Sequence, residues 1–220
     1  MSDEIVTRPR RSGRTDPGAD GEDATGEIRK LTSLVEISQA LSGNLKLAES
    51  LPAVLDTLER HHSVVRAWVT LADDESGEQY VTAATGGVPP RDRARAGEGM
   101  VARVIESGRA VVVPQISQEP LLHERGRRPD ARELSFICVP LVVSRRPVGA
   151  LAVHLAFKRH RQYQRSLKFF RVVGSMIAQA VKVARVAESE RRRLVEENAH
   201  LRDELADRYA FRHIIGNSAP

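Results

Sequence analysis

Basic side chains near a glycine-led helix are the first candidates for chemistry in this sequence. The stretch that begins at Gly97 (GEGMVARVIES) is typical of a short helix with a glycine-rich start, and the free N–H groups at such a start favour an anion. Guanidinium groups add paired hydrogen bonds to an anionic group. We therefore single out Arg103, Arg109 and Arg125 as candidate ligand-binding residues. The alternative, that each is an ordinary surface arginine, is kept open.

Other residue types argue against catalysis. Cys138 is the one cysteine, and its apolar, strand-like surroundings favour a small core residue over a reactive thiol. No two of the seven His residues stand four positions apart on a helix with a carboxylate nearby, so we expect no metal site. The pattern Gly97-x-Gly99-x-x-Ala102 lacks the preceding strand of a dinucleotide site. With neither a nucleophile elbow nor a phosphate-binding loop, the sequence predicts no enzyme activity, no catalytic residue and no bound cofactor.

The charge of the chain permits several kinds of partner. The net charge is +5 and the isoelectric point is near 9.8, but the arginine clusters are short and no aromatic residues alternate with them, as stacking on single strands would require. We favour a solvated surface over docking of an acidic partner, and place direct DNA contact last. The sequence has neither the run of ~20 apolar residues of a membrane span nor the apolar core of a secretory signal. We expect a cytoplasmic protein that does not bind membranes.

The hydrophobic pattern divides the chain into a tail, a mixed domain and a long helix. Residues 1–26 carry almost no large apolar side chains and are expected to be disordered. Order is expected from Glu27, with two amphipathic helices and then strands around a short helix. The expected strands are Val65–Leu71, Gln79–Ala84, Ala110–Val113, Ser135–Val143 and Val148–Leu155, with a helix at Met100–Glu106 and a tight turn at Ser144–Pro147. This order predicts an α+β fold, an antiparallel sheet flanked by helices.

A helical period then runs from about Gln162 to Tyr209 without an internal proline. A heptad can be traced through it, interrupted by Arg191 and Arg208, and we call four of its later members, Leu194, Asn198, Leu201 and Leu205, the dimer seam. A single Asn at such a position sets the register of a two-stranded coiled coil. We favour a parallel dimer over a lone solvated helix.

Four stretches carry a resemblance to a known family. Residues 31–42, 97–122 and 133–155 resemble the GAF fold, and together they are similar to the N-terminal domain of NifA-type nitrogen-fixation activators, which work with the sigma factor σ54. Residues 208–220 (RYAFRHIIGNSAP) resemble the entry to the AAA+ ATPase domain of such activators. The resemblance implies a GAF sensor over 27–160, a signalling helix over 161–209, and the start of a truncated ATPase domain at 210–220.

The function that this resemblance implies is control rather than chemistry. The region would sense nitrogen status and govern an attached ATPase, whose partner is the σ54 RNA polymerase. The implied inputs are 2-oxoglutarate, a dianion that the candidate arginines would bind, a PII protein or an inhibitory flavoprotein. The long helix would form a homodimer or a higher oligomer. A free-standing small-molecule-binding GAF module and a histidine-kinase sensor are the alternatives, although kinases lack the IIGNSAP segment.

Overall fold

The helices and strands follow one another as the hydrophobic pattern predicts. The computed structural model describes residues 17–43, 46–73, 76, 78–85, 99–119 and 133–214. In chain order the elements are α1 (Pro17–Ser42), α2 (Leu47–His62), β1 (Val64–Ala72), β2 (Gln79–Ala84), α3 (Met100–Ser107), β3 (Val111–Val113), a short 3-10 turn (Ile116–Gln118), β4 (Leu134–Val143), β5 (Arg146–Ala156) and α4 (Tyr163–Ile214). The predicted α+β fold is confirmed.

Five antiparallel strands form one sheet in the order β2-β1-β5-β4-β3. Strands β4 and β5 form a hairpin in which Val143 pairs with Arg146. Its turn consists of Ser144 and Arg145, whose φ angles are 49° and 67°. Positive φ at both central residues suits the right-handed twist of a hairpin. The predicted turn Ser144–Pro147 was therefore too long, because Arg146 and Pro147 belong to β5.

The β4–β5 hairpin is mostly apolar because the middle of both its faces is covered. On one face Ile137, Val139 and Leu141 join the main core beneath α1, α2 and α4. On the other face Phe136 and Cys138 join a smaller core together with α3. A strand that is buried on both faces needs no alternation of polar and apolar residues. This explains why the hairpin was the clearest strand signal in the sequence.

Helix α4 lies across the sheet and then leaves it. Its first part buries Phe170, Val173 and Ile177 in the main core. The helix lies close to β4 at Gly174, where a Cβ atom would lie 3.1 Å from the Cγ2 of Val139. From Glu188 to Leu205 every side chain is exposed. One continuous helix therefore joins the core of the domain to a free arm.

Two predicted boundaries differ from the structure. Helix α1 begins at Pro17, upstream of the expected start of order at Glu27, so residues 17–26 are helical rather than part of a disordered tail. Helix α4 continues to Ile214 and thus passes the boundary drawn at residue 209. The rest of the predicted tail, residues 1–16, and residues 215–220 of the predicted ATPase entry lie outside the described residues. The first turns of α1 have no stripe of apolar side chains in the sequence. The hydrophobic pattern therefore placed the start of this helix too late.

A histidine joins the three helices on the covered side of the sheet. His62, at the end of α2, lies 3.0 Å from the Oγ of Ser33 in α1. Its ring also packs on Phe169 of α4, with a centroid distance of 4.2 Å. Burial lowers the pKa of His62 to about 4, and the nearby cations of His61 and Lys30 add to this shift. His62 therefore packs as a neutral ring.

We expect the free energy of unfolding to fall as the pH falls because of His62. Between its folded pKa of about 4 and the ordinary value of 6.5, the unfolded chain binds more protons than the folded chain, so stability is lost on acidification through this window. After allowance for solvent screening at this partly buried site, the loss from about pH 7 to about pH 5 is about 1 kcal/mol. Urea unfolding at the two pH values measures it.

The variant His62→Gln should show a smaller pH dependence of unfolding than the native chain. His160→Gln is the matched control, since His160 is exposed. Equal pH dependence in the native chain and in His62→Gln would contradict the assignment of this loss to His62.

Candidate functional site

The face of the sheet turned toward α3 is the candidate ligand surface. Helix α3 contacts β4 and β5 and buries Met100, Val104 and Ile105 against them. The strand residues on this side alternate with those of the main core. We call the following set the α3 face: Trp68, Thr70, Phe136, Cys138, Ala150, Ala152 and His154.

Strand register places aromatic and small residues side by side on the α3 face. Trp68 lies opposite Ala152, which in turn lies opposite Cys138. The ring of His154 meets Trp68 edge-on at 5.1 Å and Phe136 at 5.5 Å between centroids. Aromatic walls around small residues are typical of surfaces that accept an organic ligand.

Thr70 supplies a polar group to this face. The residue is 1% exposed, and its hydroxyl has no hydrogen-bond partner among the described residues. A buried hydroxyl without a partner costs about 1–3 kcal/mol. Thr70 therefore places on this face a polar group whose hydrogen bond is not made within the described residues.

Cys138 is a packing residue, as the sequence predicts. The side chain is fully buried in the smaller core, and desolvation raises the pKa of its thiol far above the ordinary value. The thiolate is the reactive form of cysteine. Nucleophilic or redox chemistry at Cys138 therefore has no support in this fold.

The structure describes two of the three arginines chosen from the sequence. Arg103 is exposed on α3, and Arg109 is exposed at the entry to β3. Arg109 lines a groove that does not include Arg103, and Arg125 lies outside the described residues. Their role as ligand-binding residues stays a prediction.

Sequence reasoning missed Trp68, Thr70 and His154. A signal for the first two exists, because in VRAWVTL they alternate with residues of the main core. His154 needed the register of β5 on β1, which no local pattern contains. Within the described part of the chain, no group of three His, Cys, Asp or Glu side chains could hold a metal ion.

Two polar contacts tie α4 to the rest of the domain. At its start the Tyr163 hydroxyl lies 2.9 Å from the Oγ of Ser135 and donates to the carbonyl of Pro114 at 3.4 Å. Where α4 leaves the sheet, Arg185 donates to the carbonyl of Ala72 at 2.6 Å. The helix is therefore held at both ends of its buried part.

Comparison with known proteins gives consistent matches. The model of the GAF domain family matches residues 44–182. The chain is 33% identical over 205 residues to the nitrogen fixation protein VnfA of Azotobacter vinelandii, covering 89% of this chain and 39% of that protein. It is 30% identical over 196 residues to the Nif-specific regulatory protein of Herbaspirillum seropedicae, covering 86% and 36%. The chain thus spans about two fifths of the length of such relatives.

Solved structures show the same fold. The nlh2 GAF domain of A. aeolicus in an inactive state superposes with a TM-score of 0.63 at 18% identity, covering 72% of this chain and 98% of that one. The GAF domain of a phosphoenolpyruvate-protein phosphotransferase from Coxiella burnetii gives 0.63 at 19% identity, covering 74% and 98%. None of the helices in the described ranges is long and apolar enough to cross a membrane.

Replacement of Thr70 by Val should stabilise the ligand-free protein. The change removes a buried hydroxyl without a partner at almost constant volume, so we expect a gain of about 1 kcal/mol in the free energy of unfolding. Thr85→Val is the matched control. The Thr85 hydroxyl is also buried but accepts a hydrogen bond from the Ala67 N–H at 2.9 Å, so its loss should destabilise by about 1–3 kcal/mol. Urea titrations give both values, and equal destabilisation by the two changes would contradict a free Thr70 hydroxyl.

Proposed function

The chain belongs to the GAF domain family, and from this premise we propose that it is the regulatory part of a σ54-dependent activator of nitrogen-fixation genes. The names of its relatives support this proposal, since they are nitrogen fixation proteins and Nif-specific regulatory proteins. The ATPase, the contact with σ54 RNA polymerase and the reading of DNA would belong to the part of the longer polypeptide that such relatives possess. Sequencing the coding region that follows Pro220 tests the proposal: a Gly-x-x-x-x-Gly-Lys-Ser/Thr loop would support it, and its absence would contradict it.

The continuity of α4 carries this proposal. The same helix packs on the sheet through Phe170 and Ile177 and extends as an exposed arm to Leu205. A ligand or partner that prefers one packing of α4 shifts the population of that packing. The arm then transmits the shift to whatever is attached to it, so the domain acts as a switch rather than as a catalyst.

The inputs that we propose are 2-oxoglutarate, a PII protein or an inhibitory flavoprotein. Isothermal titration of the chain with 2-oxoglutarate and with cyclic nucleotides separates a nitrogen-status sensor from a free-standing nucleotide-binding module. We expect heat of binding with 2-oxoglutarate. Binding of a cyclic nucleotide without any response to 2-oxoglutarate would favour the second function.

We also propose that the arm forms a parallel two-stranded coiled coil. The seam residues Leu194, Leu201 and Leu205 are 51–54% exposed in the single chain, and such apolar side chains on one stripe favour a partner helix. In this heptad Glu197 and Arg202 occupy flanking positions that face each other across a parallel pair. The groove between α1 and α4, lined by Leu41, Ala180 and Ala184 among others, would continue the interface toward the domain.

The double variant Leu194→Asp/Leu201→Asp should therefore be monomeric. In a dimer of this variant, the two carboxylates of each helix would be buried against those of the partner helix. The burial of the remaining apolar side chains of the seam does not offset this cost. Light scattering after size exclusion measures the mass, which should fall from twice the chain mass of 24.3 kDa to that mass.

Ala199→Asp is the control for the seam, since Ala199 is exposed and in this heptad lies on the outer face of the helix, away from the seam and from its flanking positions. We expect this variant to remain dimeric. A native chain that is already monomeric, or a dimer that survives the double change, would contradict the coiled-coil proposal.

A further inference from the structure

The positive charge of the chain is concentrated in one continuous segment. Residues 134–187, which form β4, β5 and the packed half of α4, contain ten Lys and Arg and no Asp or Glu. The rest of the chain contains the remaining 24 basic residues and all 29 acidic residues. This segment therefore has no acidic residue of its own to balance its positive charge, whereas the rest of the chain carries a small excess of negative charge.

Part of this surface is concave. A groove of about 540 Å³ lies between α4 and the chain that enters β3. We call it the basic groove; its lining residues are Gly108, Arg109, Ala110, Pro140, Val142, Arg171 and Ser175. Arg109 stands on the β3 side and Arg171 on the α4 side, so two exposed guanidinium groups from separate elements flank an apolar floor.

Neither arginine has a carboxylate partner among the described residues. On the outer arm of α4, by contrast, Arg192 and Arg193 form ion pairs with Glu188 and Glu190 of the same helix. The positions three and four residues away from Arg171 are Leu167, Lys168, Gly174 and Ser175, so α4 offers it no acid. Both guanidinium groups are therefore without an acidic partner in the described part of the chain.

We propose that the basic groove is the docking site for an acidic segment of another protein. A carboxylate of that segment accepts hydrogen bonds from Arg109 and Arg171, with the Ser175 hydroxyl as a further donor. An aliphatic side chain next to it covers Ala110, Pro140 and Val142. Some acidic groups of the described residues already pair with a neighbouring base, for example Asp56 with Arg60 and Glu190 with Arg193.

The lining of the groove favours a polypeptide over a nucleic acid. Among the described residues no aromatic side chain lines it, and proteins that bind single strands without sequence preference stack bases on aromatic rings. The floor is instead aliphatic, which suits the stem of a Glu or a neighbouring Leu. Arg171 and Ser175 belong to α4, and Gly174 lies between them, whereas Arg109 precedes β3. An occupant that contacts these residues therefore links α4 to the entry of β3 and holds the helix on the sheet. This inference does not depend on the assignment to nitrogen fixation.

Fluorescence anisotropy with the complete 220-residue chain tests the docking site. The probe is a fluorescein-labelled peptide that repeats Glu-Glu-Leu, at physiological ionic strength. We expect saturable binding, and a rise in Kd of at least about tenfold in Arg109→Glu/Arg171→Glu. The milder Arg109→Gln and Arg171→Gln variants should each weaken binding by a smaller factor, which keeps the test valid if charge reversal disturbs folding. Circular dichroism of each variant checks the fold.

The matched control is Lys158→Glu/Arg159→Glu, which makes the same change of charge at the far end of β5. The eleven residues of β5 separate this pair from the hairpin end by about 30 Å, beyond the screening length of about 8 Å. This control should change Kd by less than about twofold.

Three outcomes would overturn the proposal. Equal weakening by the two double variants would show only general attraction to a cationic surface. Tighter binding of an oligothymidylate of the same charge, with the same loss in Arg109→Glu/Arg171→Glu, would identify a nucleic-acid site. A shift of that variant from dimer to monomer in light scattering would assign the groove to a second copy of this chain.

Discussion

The contact between α4 and β4 organises the rest of the molecule. Gly174 lies at this contact, where an added Cβ would be 3.1 Å from the Cγ2 of Val139, and Phe170, Val173 and Ile177 pack into the main core on either side. Each of these three buried side chains contributes roughly 1.5–3 kcal/mol relative to an exposed position. Since β4 is also covered by α3 on its opposite face, the hairpin lies between the candidate ligand surface and α4.

Much of this architecture could be predicted from the sequence, and the reasons are local. The β4–β5 hairpin is apolar on both faces, and α4 keeps a helical period without proline, so each element carries its own signal. The start of α1 was misplaced because its first residues have no apolar stripe. The hairpin turn was drawn too wide because Arg146 and Pro147 resemble turn residues, whereas the pairing of Val143 with Arg146 places them in a strand.

The candidate sites were harder to predict because they depend on contacts between distant segments. Trp68 and His154 meet only through the register of β1 on β5, and Arg109 lines the same groove as Arg171 only because α4 packs where it does. An arginine chosen from its neighbours in sequence, such as Arg103, need not lie near either site. By contrast, the absence of acidic residues from 134–187 was visible in the sequence. The structure adds that the strands and the helix of this segment lie side by side, so that their basic residues share a surface.

The position of Gly174 along α4 has a mechanical consequence. The helix has 52 residues, which is a rod of about 78 Å, and about 60 Å of it lies beyond this glycine. With the close contact as fulcrum, a tilt of about 5° moves the far end of the rod by about 5 Å, nearly the pitch of one helical turn. A tilt that leaves Val173 and Ile177 packed is therefore enough to displace the far end of α4. This displacement is as large as a shift of the helix by one turn against a neighbouring helix.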